Sequence, residues 1–193
     1  MNWYKKLNQY FPIEEMKSKE QMDLLLKERG DVYHKDEGPH HVLIYVEFNG
    51  FVFVDYLFVS REARGQGLGK QLINKLKSKN KPVILEVEPV HYEDTDTEKR
   101  LRFYAREEFQ HASKIGYCRR SLTTGQDTVM EILYWSPNEA DEEVIYDAMV
   151  TTYRDIHKYK DTEIYGAPFE SVERTLSFEE ERNENILKPF ILV

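Results

Sequence analysis

A single cysteine, Cys118, is present in the 193 residues of this chain. That scarcity excludes an internal disulfide and a cysteine-based metal cluster. No apolar run approaches the roughly 20 residues that a helix needs to cross a bilayer, so no membrane partner is expected. Met1 to Tyr10 lacks the apolar core of a secretory signal, and a cytoplasmic location is the expectation. Positive charge is also in short supply: the formal net charge is −8. A nucleic-acid footprint would be basic, so no nucleic-acid partner is expected. The six histidines show neither H-x-x-x-H spacing nor carboxylates at metal-ligand distances, and no metal is expected.

What remains describes an ordinary folded domain with an extension. Hydrophobic residues make up 40% of the chain, with 13 Tyr and 10 Phe, which is globular composition and enough for a full core. The acidic surplus is confined to one end. Residues 137–193 hold 14 Asp and Glu against 6 Lys and Arg, whereas residues 1–136 hold 21 of each sign. Such asymmetry suits a solvated acidic face or a cationic substrate or partner near the C-terminal part.

The most informative segment runs from Leu57 to Lys70, LFVSREARGQGLGK. An apolar strand ends there and a helix begins, joined by a loop with three glycines. Glycine lets backbone approach a ligand closely. A helix opening behind such a loop aims unpaired N–H groups at one point and makes an anion site. The spacing excludes the two commonest diphosphate cradles. A nucleoside-triphosphate loop needs G-x-x-x-x-G-K-[ST], but Arg64 stands five before Gly69, and Gln71 follows Lys70. A dinucleotide fingerprint needs G-x-G-x-x-G, and its third glycine would fall on Lys70.

The residues present are R-x-x-G-x-G, as Arg64, Gly67 and Gly69, after an L-x-V strand end at Leu57 and Val59. This string resembles the acetyl-CoA-binding motif of the GNAT acyltransferases (GCN5-related N-acetyltransferases). The resemblance covers about residues 32–135. It implies that the loop, with Arg64, Gly65, Gln66, Gly67, Gly69 and Lys70, holds the pyrophosphate of acetyl-CoA. It also implies that the strand end at Leu57 and Val59 pairs with the pantetheine arm. Arg61 stands where the family often has proline, a departure that affects loop stiffness.

Residue patterns give the same order of elements. Met16 to Arg29 reads as an amphipathic helix with Ser18 and Gln21 as a capping pair and Gly30 as its stop. Val42–Phe48 and Phe51–Val59 read as a hairpin about Asn49-Gly50. Both runs are apolar on both faces, which places them centrally under helices. Helix Lys70–Lys79 and strand Val83–Val90 follow, the latter parallel to Phe51–Val59 through a right-handed crossover. Thr95–Ile115 reads as one long helix capped by Gly116, and Tyr117–Leu122 with Val129–Trp135 as a second hairpin. The family's usual first strand is not evident upstream of the first helix.

The expected fold is therefore α/β (α+β), a mixed, mostly antiparallel sheet flanked by helices. Residues 1–136 form the acyl-CoA-binding catalytic domain. Residues 137–193 form an acidic helical extension, packed on the domain or against a dimer partner. Ser136-Pro137-Asn138-Glu139 reads as a helix start there, and Leu176–Asn185 as another short helix. Homodimerisation is compatible by family likeness.

The resemblance also assigns chemistry. In the family a tyrosine on the helix after the second parallel strand protonates the leaving thiolate. Lys99-Arg100-Leu101-Arg102-Phe103-Tyr104 resembles that helix and places Tyr104 there. A glycine–aromatic pair usually lies about four residues beyond that tyrosine, yet Gly116-Tyr117 lies 12 beyond Tyr104. Counted from Gly116, the position falls near Ala112, so either extra helix separates the two or the acid lies elsewhere. Asp55 is the one carboxylate within Phe51–Val59, two before Leu57, and strand alternation would turn both to one face. It is a candidate base for the acceptor amine, or an Asp held by a nearby Arg or Tyr hydroxyl. Glu86 and Glu88 alternate on the following strand, as cation-binding or basic groups or as a salt-bridged face. His91 and Tyr92 lie in a loop where acceptor recognition could occur, and Cys118 reads as a buried structural thiol. The reading is acetyl transfer from acetyl-CoA to a primary amine of a small molecule or protein, by direct attack. Its alternative is a non-catalytic acyl-CoA-binding sensor of the same fold.

Overall fold

Strands with apolar side chains on both faces belong in the middle of a sheet, and two of them set this architecture. The computed structural model describes residues 2–89, 95–121, 124–180 and 184–191. In it β2 (His41–Glu47) and β3 (Val52–Val59) pair antiparallel across the Asn49-Gly50 turn. The sheet has eight strands in the order β1-β2-β3-β4-β7-β6-β8, with β5 also paired to β7. The remaining strands are β1 (Tyr33–Gly38), β4 (Val83–Val87), β5 (Gln110–His111), β6 (Ile115–Arg120), β7 (Asp127–Trp135) and β8 (Leu176–Phe178). Only β3 and β4 are parallel among these pairs, and helix α3 (Leu68–Lys77) lies between them in sequence. Their pairing is short: Val52, Phe53 and Val54 meet Val83, Ile84 and Leu85. Beyond that rung the two strands part.

Helices cover both faces. The first layer holds α1 (Trp3–Asn8), α2 (Lys19–Glu28) and α5 (Glu142–Thr152), whose Leu7, Met22, Leu25, Ile145 and Met149 pack on Val42, Ile44, Phe53 and Ile84. The second layer holds α3 and α4 (Thr95–Arg106), whose Leu72, Ile73, Leu76 and Leu101 pack on Leu43, Val54 and Leu85. Each fully buried Leu or Ile contributes roughly 1.5–3 kcal/mol. Ser18 caps α2 as expected, accepting from the Gln21 amide at 3.1 Å. Among the described residues no helix is long and apolar enough to cross a membrane.

Several elements differ from the sequence reading, each for a local reason. Strand β1 is polar and exposed on alternate residues, YHKDEG, and carried no apolar pattern. The expected helix Thr95–Ile115 ends at Arg106. Its stop is a C-terminal motif in which the Phe109 amide bonds Tyr104 O at 3.0 Å and the Glu108 amide bonds Ala105 O at 3.1 Å. That motif needs a left-handed residue, usually glycine. Glu108 takes the role at φ 60°, so the stop was invisible in composition. The chain then pairs through β5 instead of adding two helical turns.

At the C-terminal end, Asp141, not Ser136, caps α5, accepting from the Glu143 amide at 3.2 Å. Glu142 fixes that start by accepting from the Lys114 amide at 2.8 Å. Leu176–Phe178 is a strand, not part of a helix, because the open edge of β6 pairs with it. Cys118 is exposed, not buried: β6 turns Tyr117 inward and Cys118 outward. Short helices α6 (Asp161–Tyr165) and α7 (Val172–Thr175) complete this region.

Candidate active site

The glycine loop has the backbone geometry that an anion cradle needs. After β3, a 3₁₀ turn at Arg61–Ala63 leads to Gly65 at φ 78° and Gly67 at φ 82°. Gly67 is the N-cap of α3 and offers no side chain to its first-turn amides. The N–H groups of Leu68, Gly69 and Lys70 therefore face outward with the positive end of a ten-residue helix behind them. Gly69 serves a different purpose: a Cβ there would lie 3.3 Å from Phe103 Cζ of α4, so glycine lets the two helices close up. Arg64 donates from Nε to Val59 O at 3.3 Å, pairs with Asp96 at 3.2 Å and stacks on Tyr10 at 5.1 Å. The Gln66 side chain turns back to Glu62 O at 2.7 Å.

A cleft of about 640 Å³ opens above this loop. Leu57, Val59, Arg64, Gly65, Gly67, Gly69 and Lys70 line it, and so does Tyr104. Gln66 lies beside the cleft, with only its backbone in the loop. Tyr104 sits on α4, 8% exposed, between the rings of Phe103 and Phe109. Burial raises its phenol well above the ordinary range, so the hydroxyl keeps its proton at neutral pH and can donate it. Glu108-Phe109 lies four residues beyond Tyr104, with Glu108 in the left-handed region at φ 60°. Tyr10, Arg100 and Phe103 also line the cleft. Tyr10 lacked any motif, whereas Arg100 and Phe103 lie in the stretch that identified Tyr104.

The other face of the split between β3 and β4 is charged and buried. Here Asp55 departs from expectation. Tyr45 faces Val54 and Ile44 faces Tyr56, so the register skips Asp55. This bulge re-aims the strand. Leu57 and Val59 pack in the second layer, while Tyr56 and Phe58 pack in the first. Asp55 shares that first side, opposite Leu57: it accepts from Lys17 Nζ at 2.5 Å and from Tyr33 OH at 2.6 Å. Asp55 and Tyr104 are thus on opposite sides of the sheet, and Asp55 is held by neighbours.

Glu86 is the hub of this network. His157 Nε2 lies 2.9 Å from its Oε1, and Arg119 Nη1 lies 3.8 Å from its Oε2. Burial pushes its carboxyl upward, but His157, Arg119 and Lys17 together outweigh burial and hold it at about 2. Glu88 pairs with Arg100 at 2.8 Å, which connects the network to the cleft. Glu15 is raised to about 8, first by burial and then by Glu88. Lys17, Arg119 and His157 were not singled out in the sequence, because no local pattern marks them. His91 and Tyr92 lie outside the described residues. Among the described residues no group of three or more His, Cys, Asp or Glu is placed to hold a metal.

Comparison with known proteins bears directly on this arrangement. Residues 30–111 match the family model described as "Acetyltransferase (GNAT) domain". The chain is 62% identical over 187 residues to a Bacillus subtilis (strain 168) protein named "Putative acetyltransferase YjbC", covering 96% of this chain and 97% of that one. A solved structure from Bacteroides thetaiotaomicron, described as "Putative acetyltransferase from GNAT family", superposes with a TM-score of 0.61 at 24% identity. That match covers 85% of this chain and 90% of the other.

Proposed function

The chain belongs to the GNAT acetyltransferases, and from that premise we propose that it moves an acetyl group from acetyl-CoA to a primary amine by direct attack in a ternary complex. One observation carries this reading: the α3 amide fan and the Tyr104 hydroxyl line the same cleft, where β3 and β4 separate. The thioester supplies its own electrophile. Amides of Leu68, Gly69 and Lys70 would receive the pyrophosphate, with Arg64 and Lys70 adding positive charge. Backbone of β3 beyond Val54, unpaired on its β4 side, would bind the pantetheine arm along Leu57 and Val59.

Tyr104 is then the acid for the departing thiolate. Its phenol keeps its proton at neutral pH, and that proton would go to the charge that develops on sulfur as the C–S bond breaks. The amine's proton goes to the charged network on the other face, of which Asp55 is one member. The acceptor is a primary amine on a small molecule or a protein, and a cytoplasmic setting completes the reading.

Calorimetric titration with acetyl-CoA, followed by an amine panel scored by free thiol, tests it. Saturable binding with thiol release on some amine is expected. No heat at millimolar donor refutes the reading. Binding without thiol release over the whole panel favours the non-catalytic acyl-CoA sensor.

A further inference from the structure

Acetyl transfer needs a destination for the amine's proton, and His157 offers an unused lone pair in the charged network that Glu15, Glu88 and Arg100 join to the cleft. It closes a π-helical turn, Tyr153–His157, that runs on from α5. Such turns shift side-chain phase and recur at functional sites. Several elements hold this histidine. Gln21, fully buried on α2, donates to the carbonyls of His157 and Tyr159, each at 2.9 Å. Phe53 meets the imidazole edge-on with centroids 5.5 Å apart, and Tyr153 lies at 6.0 Å.

Glu86 fixes the tautomer. An ionised carboxylate can only accept, so Nε2 carries the hydrogen and Nδ1 the lone pair. Nδ1 is buried and has no hydrogen-bond partner among the described residues. A buried acceptor left unpaired by the protein calls for a partner from outside it. His157 lines a cavity of about 20 Å³ together with Glu15, Lys17 and Arg119. That volume holds one water-sized group. Glu15 Oε1 is unpartnered as well.

We propose that His157 is the catalytic base, with Nδ1 taking the proton of an acceptor amine whose nitrogen enters this cavity, and that Glu86 is its positioning residue. The proposal rests on the acetyl-transfer reading and adds an acceptor class: an unbranched primary amine, slim enough for one-group space. Asp55 serves less well, since its oxygens already accept from Lys17 and Tyr33. In the transfer, the amine nitrogen bonds to the acetyl carbonyl carbon and the C–S bond breaks. The amine proton moves to Nδ1, and the Tyr104 phenol proton moves to sulfur. The imidazolium then yields its proton to solvent and Tyr104 regains one, so amine and thioester leave as amide and thiol. The groups facing the ring are Glu86 from β4, Arg119 from β6, Asp55 from β3 and Lys17 and Glu15 from the segment before α2. Burial lowers the imidazole pKa most, Lys17 lowers it further, and Glu86 offsets part of this. The ring is therefore neutral at pH 7, as a base must be.

Ethylamine is a suitable probe acceptor, with thiol release from acetyl-CoA above the enzyme-free rate as the signal. His157→Gln keeps a nitrogen donor toward Glu86 and removes the Nδ1 lone pair. We expect kcat/KM to fall about 100-fold, with acetyl-CoA affinity unchanged by calorimetry. A variant as fast as the wild type overturns the proposal, as does a wild type that binds acetyl-CoA yet releases no thiol above the enzyme-free rate with ethylamine. Failure to bind acetyl-CoA at all removes the acetyl-transfer reading itself. Glu86→Gln provides a second route that does not depend on folding of the first variant. Loss of the anion lowers the imidazole pKa further, so the acid limb of the rate profile should move to lower pH. An unmoved limb overturns the proposal.

Discussion

The two sides of the β3–β4 split are built in opposite ways. The cleft side is made of neighbours in sequence: residues 57–70 supply strand end, loop and helix start, and α4 closes it with Tyr104. Its binding groups are backbone amides, which glycine exposes and side chains hardly affect. The far side assembles Glu15, Lys17, Asp55, Glu86, Arg119 and His157 from segments spread over most of the chain. Its polar groups are buried side chains, some charged and some neutral, each depending on the others. A cradle of amides tolerates variation around it. A buried charge network does not, because removing one member leaves its partners uncompensated.

That contrast can be broken at its strongest point first. Glu86→Leu leaves the buried Arg119 without its counter-charge and the His157 Nε2–H without its acceptor, and should cost about 3–5 kcal/mol of stability by urea unfolding at pH 7. A loss below about 1 kcal/mol would mean that the network's members are independent. On the cleft side, Tyr104→Phe should lower turnover about 100-fold, equivalent to about 2.7 kcal/mol, while acetyl-CoA affinity stays within about twofold. An unchanged rate removes Tyr104 as the acid. Gly67→Ala forces an L-residue into the left-handed region at about 1–2 kcal/mol. Acetyl-CoA should then bind about tenfold more weakly, with the fold intact; equal affinity would show that the amide fan does not depend on this cap.

The last test concerns pH and separates two carboxyls of the network. Glu86 is held down at about 2, so its stabilisation is present above pH 4.5 and lost as pH falls toward 2. Glu15 is raised to about 8, so its contribution is full below pH 4.5 and lost as pH rises through 8. Wild-type stability should therefore decline between pH 5 and 8, and Glu15→Gln should flatten that decline. Parallel stability curves for the two proteins would remove Glu15 from the titrating set.

Much of the cleft was legible because its logic is local. Asn49-Gly50 marks a hairpin, and the glycines at 65, 67 and 69 mark a loop that opens a helix. Both signals depend on residues within a few positions of each other. Legibility failed where an unusual residue took a conformational role. Glu108 in the left-handed stop of α4 concealed the end of that helix. It failed again at Asp55, because a one-residue bulge reverses the face that simple alternation assigns. The C-terminal part misled for a third reason. Leu176–Phe178 joins the sheet through an edge that nothing within residues 176–185 reveals.

The amino-acid order alone determined the glycine-rich turn, the helix start behind it and the family they mark, since such elements are set by backbone preferences of adjacent residues. Only tertiary structure decided the charged face. His157 and Glu86 are 71 residues apart in sequence yet 2.9 Å apart in space. A contact of that kind arises from sheet pairing and helix packing, which bring distant segments together, and no local preference encodes it.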